Sequence, residues 1–338
     1  MIVARYLKQI AAAGAAGEDL DEEQAHDLFA ALLDGGVPDL ELGACLVALQ
    51  VKPESIQELS GFHRAAQERR FALGSPPSGL RPIVFPAYGG AVREPNLLPL
   101  LALLLRRIGV PVLLHGTLEG GGRVSAAYVL RELGVLPSIS LAHAQQAIDQ
   151  DLIAFVPTAV LCPGLANLLA LRNRLGVANP AHRVVRLIDP FREGGMRVIG
   201  AATDAALART GSFLAATMAD ALLLKSTEGE PFVNPRQRPR IQLFRQGVET
   251  VLFEEESAPA RVSAGNFPAI DAAATARWIR LALDGRFPLP HPLVNQLACC
   301  LHASGYTDDM NQAKAIAAVE AGGLVSTDRE VPRPRESA

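Results

Sequence analysis

From residue 83 onward, short apolar runs alternate with helix-like segments, and this alternation limits the possible folds more than any other feature of the chain. The run at 83–85 is followed by a glycine turn and a helical pattern at 97–108, and the run at 110–114 by a second such turn and a helical pattern at 124–133. Strands that alternate with helices build a mostly parallel sheet covered on both faces. The same patterns predict strands at 154–157, 184–188, 196–200, 221–224 and 248–253, and helices at 271–283 and 293–303.

The first 73 residues have a different pattern. Their apolar residues recur at helical spacing, as at 39–49 and 54–71, and the Gly/Pro/Ser-rich segment 74–79 is incompatible with regular structure. We therefore expect an α/β protein with a small helical domain at 1–74. A large domain at 75–327 would hold a mostly parallel central sheet flanked by helices. The Pro/Arg/Glu-rich end, 328–338, is expected to fray.

The composition favours a soluble cytoplasmic protein that does not enter a membrane. The chain has 338 residues, 49% of them hydrophobic, but its most apolar run, 97–105, is far shorter than the ~20 residues of a membrane helix. Residues 1–10 lack the apolar core of a signal peptide. The four cysteines form no disulfide framework, and neither they nor the seven histidines have the spacing of a zinc site. We expect no metal site.

Charge is distributed unevenly although the net charge is only −3. Residues 1–74 contain twelve acidic residues against six basic ones, whereas residues 161–245 contain twelve basic residues against six acidic ones. A segment of one sign can produce a local positive field despite the negative total. This segment is therefore a candidate surface for an anionic partner.

Glycine turns follow the first two strands. The first lies at 86–91 (PAYGGA), and the second opens the segment LLHGTLEGGGRVSAAYVLRELGV at 113–135. Such turns present backbone N–H groups to phosphate. Together with PDLELGACLVALQVKPESIQELSGFHRAA at 38–66, they resemble anthranilate phosphoribosyltransferases. The resemblance implies a helical domain through which two copies dimerise, a large α/β domain, and a substrate cleft between the two.

The chain departs from this family where the family binds the phosphoribosyl donor. In the turn that the family writes GTGGD, Ala87, Tyr88 and Ala91 replace the first glycine, the threonine and the aspartate. The loop that the family writes KHGNR-x-x-SSKSG-S-x-D is changed at Leu114, Thr117, Gly121, Gly122 and Tyr128. We interpret the remaining Gly89, Gly90, His115 and Gly116 as a vestigial phosphate turn without a catalytic residue.

The metal motif is changed as well. The family holds Mg²⁺ through the acidic pair of D-G-x-D-E, and here Pro231 and Phe232 occupy those two positions. Neither side chain offers the oxygen that Mg²⁺ requires. Glu228 and Glu230 remain possible substitutes if the loop is shifted.

Other motifs are similar to a divergent, YbiB-like branch of the family, which is associated with nucleic-acid binding. They are Cys162-Pro163, the TEGE segment 227–230 and Asn234-Pro235. Arg172 matches the family arginine that meets the anthranilate carboxylate, and Arg123 matches the lysine of the serine-rich loop.

Arginine alternates with other residues at 236–240 (RQRPR), which on an extended backbone would direct three guanidinium groups to one side. Arginine pairs well with successive phosphates. The alternative is an exposed loop whose arginines pair with nearby acids. The candidate anion-binding residues are Arg123, Arg172, Arg174, Arg183, Arg186, Lys225, Arg236, Arg238, Arg240 and Arg245.

These observations predict a homodimer that binds nucleic acid, DNA in the first instance, through phosphate contacts of little sequence preference and without a cofactor. Two alternatives stay open. One is a phosphoribosyl or glycosyl transferase with an altered substrate, which would need Mg²⁺. The other is a sensor that keeps the cleft for a small ligand without chemistry.

Overall fold

The computed structural model describes residues 2–11, 18–118, 120–257, 267–286 and 288–322. The tail predicted at 328–338 and the last residues of the predicted large domain lie outside this part of the chain. In the described part, the chain begins with helices that form a bundle: α1 (Ile2–Ala11), α2 (Glu22–Asp34), α3 (Asp39–Val51) and α4 (Ile56–Glu68).

Local sequence explains where two of these helices begin. Asp21 caps α2 by accepting the N–H of Gln24, whose side chain binds the N–H of Asp21 in return. Ser55 and Glu58 form the same reciprocal cap on α4. Each cap satisfies N–H groups that the first helical turn leaves without a partner. Gly35 ends α2 in the left-handed conformation, with φ of 77°.

The centre of the molecule is a seven-stranded sheet with the order β3-β2-β1-β4-β5-β6-β7. Its strands are β1 (Ile83–Ala87), β2 (Val112–Gly116), β3 (Ile153–Pro157), β4 (Met196–Ala201), β5 (Ala221–Lys225), β6 (Ile241–Arg245) and β7 (Val248–Phe253). The pairs from β3 to β5 are parallel, and β6 and β7 add antiparallel pairs at one side. The predicted class, a small helical domain and an α/β domain with a mostly parallel sheet, is confirmed.

Helices cover both faces of this sheet. Those that follow the bundle are α5 (Leu98–Ile108), α6 (Ala126–Glu132), α7 (Leu141–Asp151), α8 (Thr158–Leu161), α9 (Pro163–Ala170), α10 (Arg172–Leu175), α11 (Ala181–Val184), α12 (Asp204–Ala216), α13 (Ala272–Leu283), α14 (His291–Ala303) and α15 (Met310–Glu320). None of the described helices is both long and apolar enough to span a bilayer.

Alternate residues of each strand enter different cores. Val84 and Leu113 pack into the core shared with the bundle, and Phe85 and Leu114 pack into the core under α5, α6, α13, α14 and α15. This alternation is the period-two geometry of a strand. The bundle core also includes Leu165 of α9 and Val184 of α11, so the middle of the chain returns to pack against the first four helices.

One predicted strand is wrong. The segment 184–188 follows the short helix α11 and continues in turns, with the Val185 N–H donating to the Ala181 carbonyl at 2.9 Å. Val184, Val185 and Ile188 are buried, but a short apolar run does not distinguish a buried strand from a buried helix. Conversely, β6, α7 and α15 form where no element was predicted.

The two edge strands, β3 and β7, have different surroundings. At β3, the Ser138 N–H donates to the Phe155 carbonyl at 2.8 Å, so the segment around Pro137 runs beside the strand. At the other edge, β7 pairs with β6 through a register shift at Ile241 and Gln242. Its residue Glu249 is exposed.

Candidate anion-binding site

The turn that follows β1 presents backbone N–H groups as predicted, but a side chain of the same chain accepts them. The Gly89 and Gly90 N–H groups both donate to Oε1 of Glu230, the second at 3.1 Å. Gly90 has φ of 63°, a conformation that glycine adopts without strain. The carboxylate of Glu230 therefore lies where a phosphate oxygen would accept these hydrogen bonds.

A second carboxylate continues the same arrangement. Glu228 accepts the Val92 N–H at 2.9 Å and also the Arg93 N–H. Two glutamates of one loop thus accept four N–H groups of one turn. A phosphate can use these donors only by displacing the two side chains.

Two arginines surround the carboxylates. Arg186 donates to the Gly229 carbonyl, and Arg123 donates to the Gly89 carbonyl at 3.2 Å. Arg123 Nη1 also lies 3.8 Å from Glu228 Oε2. Burial raises the pKa of Glu230 and the positive charge of Arg186 opposes this. Burial likewise lowers the pKa of Arg186.

Close approach explains the glycines on both sides of the contact. A Cβ atom on Gly89 would lie 2.8 Å from Glu230 Oε1, and one on Gly229 would lie 2.9 Å from Arg186 Nη1. Both distances are below van der Waals contact. The turn and the loop are therefore shaped to meet each other.

The two residues at the positions of the family's metal pair offer no side-chain oxygen. Pro231 and Phe232 are buried, and the Pro231 carbonyl accepts a hydrogen bond from Gln296 at 2.9 Å. Phe232 lines a small pocket beside the turn. In the described ranges, no cluster of three or more His, Cys, Asp or Glu side chains could hold an ion. Glu228 and Glu230 face backbone N–H groups.

His115 ends β2 in a buried polar cluster below the turn. Its Nδ1 lies 2.8 Å from the Tyr88 hydroxyl, which accepts a hydrogen bond from the Thr158 hydroxyl at 3.1 Å. Burial lowers the pKa of His115 to about 3, so the ring is neutral. Nε2 of this ring is buried without a hydrogen-bond partner in the described structure. Gly116 follows, and a Cβ there would lie 2.2 Å from the Ala87 carbonyl oxygen.

The arginine triplet does not lie on one extended strand, so that prediction is wrong. Residues 235 and 236 form a turn, closed by the Gln237 N–H on the Asn234 carbonyl at 3.1 Å. The three arginines consequently reach different acids. Arg236 pairs with Glu94, Arg238 with Glu256, and Arg240 with Glu249 and Glu254 at 3.4 and 3.6 Å.

Most of the other predicted cations also have partners. Arg174 pairs with Asp39 at 3.5 Å, Lys225 with Asp204 at 2.7 Å, and Arg183 with the buried Glu54.

Three of the predicted cations, Arg172, Arg186 and Arg245, make no ion pair within the described ranges. Arg245 donates to the His302 carbonyl at 3.2 Å, and Arg172 is exposed. The positive charge of segment 161–245 is thus largely balanced, mostly by exposed pairs.

The sequence did not reveal the role of Glu228 and Glu230 in the turn. These residues lie about 140 positions from it along the chain, as the separations of 136 and 141 residues show. Two sequence changes that occur together could have indicated this contact. The turn lost its acidic residue at Ala91, and the loop kept acids while losing the family's metal pair.

Comparison with known proteins agrees with this architecture. Residues 6–69 match the glycosyl transferase family, helical bundle domain. The chain is 37% identical to YbiB of Escherichia coli over 303 residues, covering 89% of this chain and 94% of that protein. It is 27% identical to an anthranilate phosphoribosyltransferase of Syntrophomonas wolfei over 333 residues, covering 96% and 95%.

Solved structures show the same fold. Anthranilate phosphoribosyltransferase of Thermus thermophilus superimposes with a TM-score of 0.76 at 24% identity, over 95% of both chains. The Saccharomyces cerevisiae enzyme, in complex with PRPP and Mg, superimposes with a TM-score of 0.73 at 13% identity, over 95% and 93%. Because of the similarity to YbiB along nearly its whole length, this chain belongs to the YbiB-like branch of the anthranilate phosphoribosyltransferase-like family.

Proposed function

We propose that this protein binds nucleic acid without sequence preference, through the basic side chains of segment 161–245 and Arg123. The observation that carries the proposal is the turn at 89–93, where Glu228 and Glu230 accept the N–H groups that a phosphoribosyl donor would need. A transferase of this fold depends on that turn, whereas a surface that binds a phosphate backbone does not.

The ion pairs on this surface are weak enough to open. The side chains of Arg236, Arg240 and Lys225 are 50%, 43% and 39% exposed. Exposed pairs of this kind contribute about 0–1 kcal/mol each. Contact with a polyanion releases condensed counterions, which favours exchange of a carboxylate for a phosphate at low salt.

The exposed face of α3 supports the proposed homodimer. Leu40, Ala44, Val47 and Val51 repeat at helical spacing, and Leu40 and Val51 are 83% and 67% exposed. Such an apolar stripe on a surface helix is typical of an association surface. A dimer would carry two basic surfaces on one particle and lengthen the contact with nucleic acid.

One observation favours the alternative of a transferase with an altered substrate. Arg172, which the resemblance places at the acceptor carboxylate, is exposed and has no ion pair in the described ranges. Calorimetry with phosphoribosyl pyrophosphate and Mg²⁺ distinguishes the two functions. We expect no saturable binding, and tight metal-dependent binding would favour the transferase.

A salt titration tests nucleic-acid binding directly. Fluorescence anisotropy with a labelled 30-base-pair duplex should show binding at low salt that weakens linearly in log [salt]. Replacing Arg236, Arg238 and Arg240 together by Ala should reduce the magnitude of that slope by up to about 3, since each phosphate contact contributes about 0.9.

The matched control removes three exposed arginines elsewhere, Arg5, Arg277 and Arg286, and so changes the net charge equally. It should keep a steeper slope than the triple variant. Equal slopes in the two variants, or no binding by the wild type at low salt, would contradict the proposal.

A further inference from the structure

We propose that the turn at 89–93 remains a competent binding site for phosphate or diphosphate, and that Glu228 and Glu230 hold it closed as a tethered internal ligand. The inference concerns a small-anion site built on backbone N–H groups, which shares only Arg123 and Arg186 with the basic surface of the proposed function. It can fail or hold independently of nucleic-acid binding.

The donors of the turn are already arranged for an anion. Four backbone N–H groups, at residues 89, 90, 92 and 93, converge on two carboxylates. Successive N–H groups of this kind form a concave site for anions. Their orientation is set by the backbone after β1 and by the Ala91–Val124 bridge, whose two hydrogen bonds are 2.9 and 3.0 Å long. The two hydrogen bonds of the bridge do not involve the glutamates.

The positive charges of Arg123 and Arg186 favour an anion in the turn at 89–93. Arg123 and Arg186 are held beside the turn by the carbonyl oxygens of Gly89 and Gly229. Without Glu228 and Glu230, two positive charges and four N–H donors would have no negative partner in the turn. Arg186 is partly buried, and burial lowers its pKa, so leaving its charge without a negative partner there is costly. A phosphate or diphosphate would supply the missing charge.

Glu230 is an incomplete ligand for this site. It is 2% exposed, and its Oε2 is buried without a hydrogen-bond partner in the described structure. The carboxylate of Glu230 therefore occupies the turn, but only one of its two oxygens accepts hydrogen bonds there. Tethering compensates, because a linked group acts at an effective concentration on the order of millimolar or higher. The tethered carboxylates therefore compete with a free anion and weaken its apparent affinity.

Isothermal titration calorimetry with inorganic pyrophosphate, without divalent metal, tests whether Glu228 and Glu230 keep anions out of the turn. The wild type should show no saturable binding at sub-millimolar ligand. The variant Glu228→Ala/Glu230→Ala should bind at least about tenfold more tightly than the wild type, because the tethered competitor is gone.

Two matched variants test whether the regained pyrophosphate binding occurs in the turn. Glu132→Ala/Glu255→Ala removes two exposed carboxylates and should behave like the wild type, which excludes a general charge effect. Adding Gly89→Ala to the Glu228/Glu230 double variant should abolish the regained binding, because the new Cβ occupies the space 2.8 Å from the present position of the Glu230 oxygen.

A folded double variant that does not bind pyrophosphate would overturn the proposal, as would wild-type binding of equal affinity. If the double variant does not fold, Glu228→Ala alone serves, since that side chain lies at the mouth of the turn and is 11% exposed. It should gain binding of inorganic phosphate at the Val92 and Arg93 N–H groups, and its failure to do so overturns the closure. All ten predicted cations remain in these variants, and the anisotropy titration with duplex DNA measures their nucleic-acid binding separately from pyrophosphate binding.

Discussion

We expect buried His115 and partly buried His63 to make the stability of this protein sensitive to acid. Burial lowers the pKa of His115 to about 3, and burial with the nearby charge of Arg197 lowers the pKa of His63 to about 3. Both values lie far below the ordinary value of 6.5. The unfolded chain therefore binds protons more readily than the folded chain between pH 6.5 and 3, and stability is lost as the pH falls through this range.

Replacing His115 by Asn should reduce this sensitivity. We expect the wild type to lose about 2 kcal/mol more than the His115→Asn variant between pH 7 and pH 5, since each pH unit below the unfolded pKa costs up to about 1.4 kcal/mol. Urea denaturation at the two pH values measures the difference. His143→Asn, at an exposed position on α7, is the control and should retain the wild-type dependence. The same pH dependence in wild type and His115→Asn would contradict the assignment.

The packing of α2 against α4 depends on one glycine. A Cβ on Gly61 would lie 2.3 Å from the Glu22 carbonyl oxygen and 2.8 Å from the Ala25 Cβ. The two helix backbones therefore approach at this position more closely than any side chain allows. Gly211 on α12 is also helical, but a Cβ there would meet its nearest neighbour at an ordinary 3.6 Å.

Alanine at these two helical glycines should have opposite effects. Gly61→Ala should destabilise the protein by about 1–3 kcal/mol through overpacking. Gly211→Ala should stabilise it by about 0.5–1 kcal/mol, because alanine loses less backbone entropy than glycine in a helix. Midpoints of urea denaturation measure both changes. A tolerated Gly61→Ala would show that the helices can separate at little cost.

The elements that the sequence predicted well are those with strong local signals. The runs at 83–85 and 221–224 lie between glycine-rich or polar segments and match β1 and β5, and the helix pattern at 97–108 matches α5. The run at 184–188 failed because Val184 and Val185 are buried in a helical turn, which has no distinguishing period over so few residues.

The candidate site was predicted in part. Gly89 and Gly90 present their N–H groups as the turn pattern indicates, and Pro231 and Phe232 are buried and offer no side-chain oxygen. The contact with Glu230 could not be predicted, because it joins two segments through the tertiary fold. The same limit applies to the arginine triplet, whose acidic partners are Glu94 and three glutamates of the segment 249–256.

At the scale of the whole molecule, the face of α3 provides a test of assembly. Val47→Glu together with Val51→Glu should convert the proposed dimer to monomer, because two buried carboxylates per subunit would face an apolar interface. Sedimentation velocity gives the mass. Leu281→Glu on α13, at a similarly exposed position, should leave the mass unchanged. A monomeric wild type would exclude this interface.

The two edge strands of the sheet, β3 and β7, affect how copies of this protein can associate. At β3, the Phe155 carbonyl is already occupied by Ser138, and Pro157 has no N–H to offer. At β7, the exposed Glu249 places a charge on a six-residue strand. Short, charged or covered edges discourage strand addition by another chain. Strand addition is thus disfavoured at both edges of the sheet, and fibril growth by strand pairing is disfavoured with it. The helical surfaces are left as the place where copies of the chain could associate.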